Sequence, residues 1–290
     1  MNLQIANPIY DTVFKYIMYD SKIAGVLLSA IIGEKIVELE FSATEYTLRD
    51  DADPSELNRT LEQIAVCRID FKAKIETGTG HKIVTIELQK AKLDTDIMRF
   101  RRYLGVMYQD PENACDKDKV KPRQIYCIYF LNYDVGFSNC PVLEVNNVVT
   151  DVATGEKLEN TSEFVAGLHH RSWIVQIRQL KEKRRNALEN LLSIFDQTYV
   201  SGNKHILEID ESQYPEEYRF ITRKLLEAFA SKRVREKMQM EDDYLKELLL
   251  KEARIAEKDE VIARKDETIA ELAARIAELE RKLGLTTKTK

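Results

Sequence analysis

The feature that most restricts the fold is a pair of apolar stretches joined by a glycine-bearing segment. "VCRIDFKAKI" (residues 66–75) runs through "ETGTGH" into "VTIELQKAK" (residues 84–92). Thr77 to Gly80 provides the glycines that a hairpin loop requires. With the strands closed around that loop, Glu76 faces His81, Lys72 faces Thr85, Arg68 faces Gln89 and Asp70 faces Glu87. The other face pairs Ile75 with Lys82, Ala73 with Val84, Phe71 with Ile86 and Ile69 with Leu88. Three of those four pairs are wholly apolar, so this face belongs on a core. A slip of one residue would set core residues against polar ones, and the sequence therefore favours this register.

The register has an electrostatic consequence. Carboxylates directly across a strand pair have Cβ atoms about 5 Å apart, and like charges there repel. A fold can respond by raising one pKa, by adding a cation, or by letting both side chains reach water. A hard divalent ion is one such cation, because Mg2+ accepts one or two carboxylates and keeps water in its other positions. The alternative is a pair of solvent-facing acids neutralised by Arg68, Lys72 or Lys90.

The remaining chain alternates helical and extended patterns. "NPIYDTVFKYIMYDSKIAGVLLSAIIGE" predicts two helices, with Phe14, Ile17 and Met18, then Ile23, Val26, Leu27, Ala30 and Ile31, at helical spacing. Gly33 is the expected stop. "IVELEF" predicts an extended stretch, followed by a loop around Asp53-Pro54. "DTDIMRFRRYLGVMYQ" predicts a helix closed by Pro111. "RQIYCIYFLNYDV", "PVLEVNNVVTDVATGEKL" and "SWIVQIRQL" predict strands, the second with a turn at Ala153 to Gly155. From Lys181 the pattern is helical almost to the end, interrupted near "SGNKHI" and at Pro215.

Composition bounds the function. The 290 residues are 44% hydrophobic and 32% charged, enough for a sizeable core with a heavily charged surface. A net charge of -5 argues against broad attraction to nucleic acid, although local basic patches override it. No long uncharged apolar run predicts a membrane span. "MNLQIANPIYD" lacks the basic-then-apolar order of a secretory signal, so a cytoplasmic location is expected. Cys67, Cys115, Cys127 and Cys140 form no CxxC pair and read as reduced thiols. Phosphate-binding glycine loops, HExxH and GxSxG are absent. His169-His170 lacks metal-ligand spacing, and Trp173 reads as core.

The C-terminal stretch carries a heptad. Leu248, Ile255, Ile262, Ile269, Ile276 and Leu283 fall seven apart, and "KDEVIAR" is followed at once by "KDETIAE". Lys251, Lys258 and Lys265 hold the d position before Leu272 and Leu279 take it over. A coiled coil is therefore expected to be tightest over residues 266–283, and the chain to be a homo-oligomer through it. A single solvated helix rich in Glu-Lys pairs is the alternative.

Asp70, then Glu87-Leu88-Gln89 on the next antiparallel strand, resembles the PD-(D/E)XK nuclease core, with Gln in place of the final lysine. The stretches "NPIYDTVFKYIMYD", "LLSAIIGE", "CRIDFKAKI", "IELQKAK" and "MRFRRYLGVMYQ" occur in order over residues 7–110. As an ordered set they resemble the PD-(D/E)XK nuclease family transposases, the Rpn-type recombination-promoting nucleases. The resemblance implies an α/β fold: a restriction-endonuclease-like core with a small mixed sheet flanked by helices, then a helical region and a coiled coil. It implies a nuclease-like domain at residues 1–180, a helical region at 181–240, a long helix at 241–285 and a disordered tail at 286–290.

The resemblance also implies a Mg2+-dependent DNA endonuclease, with Mn2+ as a substitute ion. Asp70 and Glu87 would hold the metal, with the backbone carbonyl of Leu88 as third ligand. Gln89 would orient water or phosphate, since an amide is no base at neutral pH. Lys90 or Lys92 would replace the missing cation. Asp11 matches an acid near such sites, or else is a helix N-cap. Arg99, Arg101, Arg102 and Tyr103 would meet the DNA backbone, with Arg99, Arg102 and Tyr103 on one helix side. Two rival readings stay open: a nuclease-derived binding or assembly protein without cleavage, and a nuclease directed to RNA.

Overall fold

A computed structural model describes residues 2–41, 45–47, 66–68, 71–78, 80–89, 96–109, 124–159, 162–181 and 184–282. The elements in chain order are β1 (Asn2–Ala6), α1 (Asp11–Met18), α2 (Ser21–Ile32), β2 (Ile36–Phe41), β3 (Glu45–Thr47), β4 (Val66–Arg68), β5 (Phe71–Thr77) and β6 (Gly80–Gln89). Then come α3 (Asp96–Gln109), β7 (Gln124–Leu131), β8 (Val142–Val145), β9 (Val149–Thr150), β10 (Lys157–Leu158), α4 (Glu163–Gly167) and β11 (Arg171–Gln176). The last are α5 (Ala187–Leu192), β12 (Ile206–Asp210), α6 (Arg219–Ala230) and α7 (Lys232–Lys282). The chain divides into two units, Met1–Gln239 and Met240–Lys290.

The first unit is built on a six-stranded mixed sheet in the order β2-β5-β6-β7-β11-β8. β5 runs antiparallel to both β2 and β6, while β6, β7 and β11 are mutually parallel, and β8 closes the far edge antiparallel to β11. The hairpin register is the one the alternation predicts: Phe71 lies opposite Ile86, Lys72 opposite Thr85 and Ala73 opposite Val84. The ladder continues to Thr77 and Gly80, so the turn is tighter than a four-residue loop. Gly80 adopts a φ of 110°, a conformation that side-chain-bearing residues rarely take.

Period-two alternation separates the sheet's two faces. Phe71, Ala73, Val84, Ile86, Leu88, Tyr126, Ile128, Phe130, Trp173 and Val175 point into one large core. Helix α1 covers it with Val13, Phe14, Ile17 and Met18, and α2 with Ile23, Leu27, Leu28 and Ile31. Asp20 caps α2 by accepting from the amides of Lys22 and Ile23, a contact worth about 1 kcal/mol. Gly33 ends that helix at φ 76°, as its sequence position predicts.

Lys82 is the one polar member of the predicted core face, and it is buried. Its ammonium donates to Glu34 Oε2 at 2.9 Å and to the Thr77 hydroxyl, and it lies 5.5 Å from the centre of the Tyr126 ring. A buried cation is tolerable when it is paired and hydrogen-bonded in this way. Arg171 extends the group by donating to Glu144 and, at 3.3 Å, to the Tyr126 hydroxyl.

Two elements differ from the sequence pattern. The N-terminal residues form β1, antiparallel to β12. The stretch after Lys181 is therefore interrupted by a strand, because Leu207 and Ile209 alternate into the core while Glu208 stays exposed. Leu191, Phe195, Leu207, Ile221 and Leu225 share one core with Phe14 and Phe130. Residues 181–239 thus belong with the sheet and not to a separate helical region. The expected loop around Asp53-Pro54 and the tail at 286–290 lie outside the described residues.

The second unit is helical through Lys282. Ile255, Ile262, Ile269 and Ile276 are exposed along it, as are Leu272 and Leu279. No helix among the described residues is long and apolar enough to cross a membrane.

The Phe14 ring lies 5.5 Å from that of Phe130 and 6.2 Å from that of Phe195, and so joins α1 to the sheet and to the segment after α5. Phe14→Ala is expected to cost about 3–5 kcal/mol. The check is the denaturation midpoint in urea at unchanged slope.

Candidate functional site

The second sheet face is covered by α3. Phe100, Tyr103 and Met107 of that helix pack on Ile83, Ile125 and Cys127 in a smaller buried cluster. The Phe100 ring lies 4.9 Å from Tyr129. On this face β6 presents Ile83, Thr85, Glu87 and Gln89, since residues two apart share a side. Glu87 is only 5% exposed and Gln89 8%. The two solvent-facing acids of the alternative reading are therefore not found at Glu87.

Glu87 lies opposite Tyr129 in the parallel ladder. Its negative charge reaches both the Tyr129 hydroxyl and the Cys127 thiol. Burial pushes the Cys127 thiol up from 9.0 to about 11, and the Glu87 charge adds to that rise. The Thr85 hydroxyl, which donates to Cys127 Sγ at 3.6 Å, and Tyr129 act in the opposite direction. Burial first, then Cys127 and Glu87, raise Tyr129 far above its ordinary range. Lys72, opposite Thr85, is 3% exposed and shares this face, so it is a buried cation one diagonal step from Glu87.

The other predicted site residues divide into three groups. Leu88 points to the large core, so only its backbone carbonyl can serve as a ligand. Asp11 is the first residue of α1 rather than its cap, which is Tyr10. It pairs with Lys15 at 2.9 Å, and its helix packs through Phe14 on the face opposite Glu87. Asp70, Lys90 and Lys92 lie outside the described residues.

On α3, Arg101 and Arg102 are exposed and Arg99 is half-buried, with its guanidinium 5.4 Å from the Phe100 ring. Tyr103 is buried in the smaller cluster. This corrects the expected grouping of Arg99, Arg102 and Tyr103 on one outward face. Tyr103 and Phe100, three apart, turn inward together, while Arg101 and Arg102 turn out. Residue-by-residue reading missed Cys127 and Tyr129. Their signal lies in "QIYCIYFL", whose two sides are both apolar enough to be buried.

Among the described residues no three His, Cys, Asp or Glu side chains converge as a metal cage. No protein-family model, curated protein or solved structure matches the chain.

The buried thiol gives the site a pH signature. The folded protein holds the Cys127 proton up to about 11, whereas the unfolded chain releases it near 9.0. The associated stability is fully present below pH 9 and falls as pH rises toward 11, by on the order of 2 kcal/mol. Urea midpoints at pH 8 and pH 10.5 are expected to separate less in Cys127→Ala than in the unsubstituted chain.

Proposed function

We propose that this chain is a Mg2+-dependent nuclease of the PD-(D/E)XK type, hydrolysing phosphodiester bonds in DNA and similar to the recombination-promoting nucleases and transposases. One observation carries the reading. Alternation along β6, paired to β7 through Glu87 and Gln89, puts these two residues on one face, the face covered by a helix that bears exposed arginines. The sequence pattern pairs Asp70 with Glu87.

The donor chemistry suits a hard ion. Glu87 offers a carboxylate, and Mg2+ takes one or two such groups with water in its remaining positions. Cys127 is a soft donor, but among the described residues no three His, Cys, Asp or Glu side chains gather as a zinc site would require. Glu87, Asp70 and the Leu88 carbonyl are the proposed ligands, and Mn2+ is the proposed substitute ion. When bound, the ion lowers the pKa of a water and offsets charge developing on the phosphate. Gln89 holds the water or a phosphate oxygen by its amide, and supplies no base. Lys90 or Lys92 is the proposed neighbouring cation. Arg101 and Arg102, with Arg99 at the margin, hold the phosphate backbone.

A second reading is favoured by Lys72. A lysine buried beside a buried acid can neutralise it without a metal, which suits a nuclease-derived protein that binds nucleic acid without cutting it. Plasmid nicking with Mg2+ separates the two. The nuclease reading expects nicking that chelation stops and Glu87→Ala abolishes, with Glu87→Ala still folded by circular dichroism. DNA binding with no nicking under Mg2+ or Mn2+ would support the second reading instead.

Backbone contact by α3 has its own signature. Arg102→Ala is expected to weaken binding about equally across DNA sequences and to lower the slope of log K against log salt by about 1. Fluorescence anisotropy between 50 and 200 mM salt measures both. The exposed isoleucines of α7 further support the proposal that this helix joins copies of the chain.

A further inference from the structure

Among the described residues of its unit, nothing covers the isoleucine stripe of α7. Ile255 is 58% exposed, Ile269 62% and Ile276 56%. They repeat at intervals of seven on one side of a continuous helix. Leu272 and Leu279 fill the d positions between them at the C-terminal end. Isoleucine at a with leucine at d is the combination that favours two strands over three or four.

The flanking charges fix direction. In the same heptad frame, Arg254 and Arg275 occupy g positions, while Asp259 and Glu280 occupy the e positions of the following heptads, five residues further on. All four are exposed. Parallel helices in register bring g of one chain beside the following e of its partner, so Arg254 meets Asp259 and Arg275 meets Glu280. Antiparallel helices bring e to e and g to g. That arrangement would set the acids Asp259, Asp266 and Glu280 against acids, and the arginines against Arg254, Arg275 and Lys282. The contact Arg275 makes within its own helix, to Glu278 at 3.6 Å, is an exposed pair that exchanges readily.

We infer that two copies of this chain associate through α7 as a parallel, in-register pair, with Ile255, Ile262, Ile269 and Ile276 each meeting its counterpart. The inference deepens the reading of α7 as a self-association helix and is independent of the catalytic reading. Each particle then carries two candidate sites.

Sedimentation equilibrium of the full chain, with disulfide trapping, tests it without any DNA substrate. The expected mass is that of two chains. Ile255→Cys and Ile276→Cys, in separate chains, are both expected to cross-link to themselves on mild oxidation, beyond the background from native cysteines in the unsubstituted chain. Ile269→Asp is expected to return the mass to one chain. Arg275→Glu is expected to weaken association, and Arg275→Glu with Glu280→Arg to restore it. A mass of one chain overturns self-association itself. A dimer that cross-links at only one of the two cysteines, or at neither, overturns the parallel register, and a mass of three or four chains overturns the pairing of two. Persistence or loss of Mg2+-dependent nicking bears on the catalytic reading alone.

Discussion

Strand β6 is hydrogen-bonded on both sides, antiparallel to β5 and parallel to β7. Its register cannot slip without breaking two ladders at once. Both of its faces are also buried, one under α1 and α2 and the other under α3. A shift of one residue would drive the Glu87 carboxylate and the Gln89 amide into the apolar core around Phe14, a burial that costs free energy without compensating hydrogen bonds. The position of Glu87 is therefore set by the packing of its neighbours, and the acid inherits a fixed place that its own interactions would not create.

That place is costly for a carboxylate. Glu87 is almost out of water, and its charge acts on a thiol and a phenol that burial already keeps protonated. A carboxylate in such surroundings is neutralised either by a proton or by a compensating positive charge. Lys72 on the same face is one source, and a divalent ion reached from the end of the strand is another. The two are not equivalent chemically. A lysine neutralises a charge, whereas an ion also offers open positions to water and phosphate.

The local rules of the sequence went far in the first hundred residues. Helices α1 and α2, the stop at Gly33 and the hairpin register all follow from spacing and turn chemistry, which act over a few residues. The neighbours of β6 beyond β5 were not legible. Nothing in "QIYCIYFL" says that it lies parallel to β6, so the approach of Cys127 and Tyr129 to Glu87 was hidden. β1 and β12 show the same limit across two hundred residues: each is too short to stand out, and each exists because the other pairs with it. On α3 the spacing was legible but its phase was not. Arg99, Arg102 and Tyr103 do recur at helical intervals, yet the aromatic side wins the sheet because burying Phe100, Tyr103 and Met107 outweighs exposing them.

The orientation of α3 also bears on how an acidic chain could hold an acidic polymer. The net charge of -5 opposes long-range attraction to nucleic acid. Helix α3, however, carries Arg99, Arg101 and Arg102 against a single acid, Asp96. Screening limits the reach of exposed charges to about 8 Å at physiological salt, so a phosphate at the arginines feels them far more than the distant surface. Anchoring by Phe100, Tyr103 and Met107 keeps that basic side fixed relative to β6. A mobile helix would spend binding energy on ordering itself, whereas this one is ordered by its apolar contacts before any ligand arrives. The aromatic residue that turned inward thus serves the proposed interface indirectly, by holding the arginines in place beside the strand that carries Glu87.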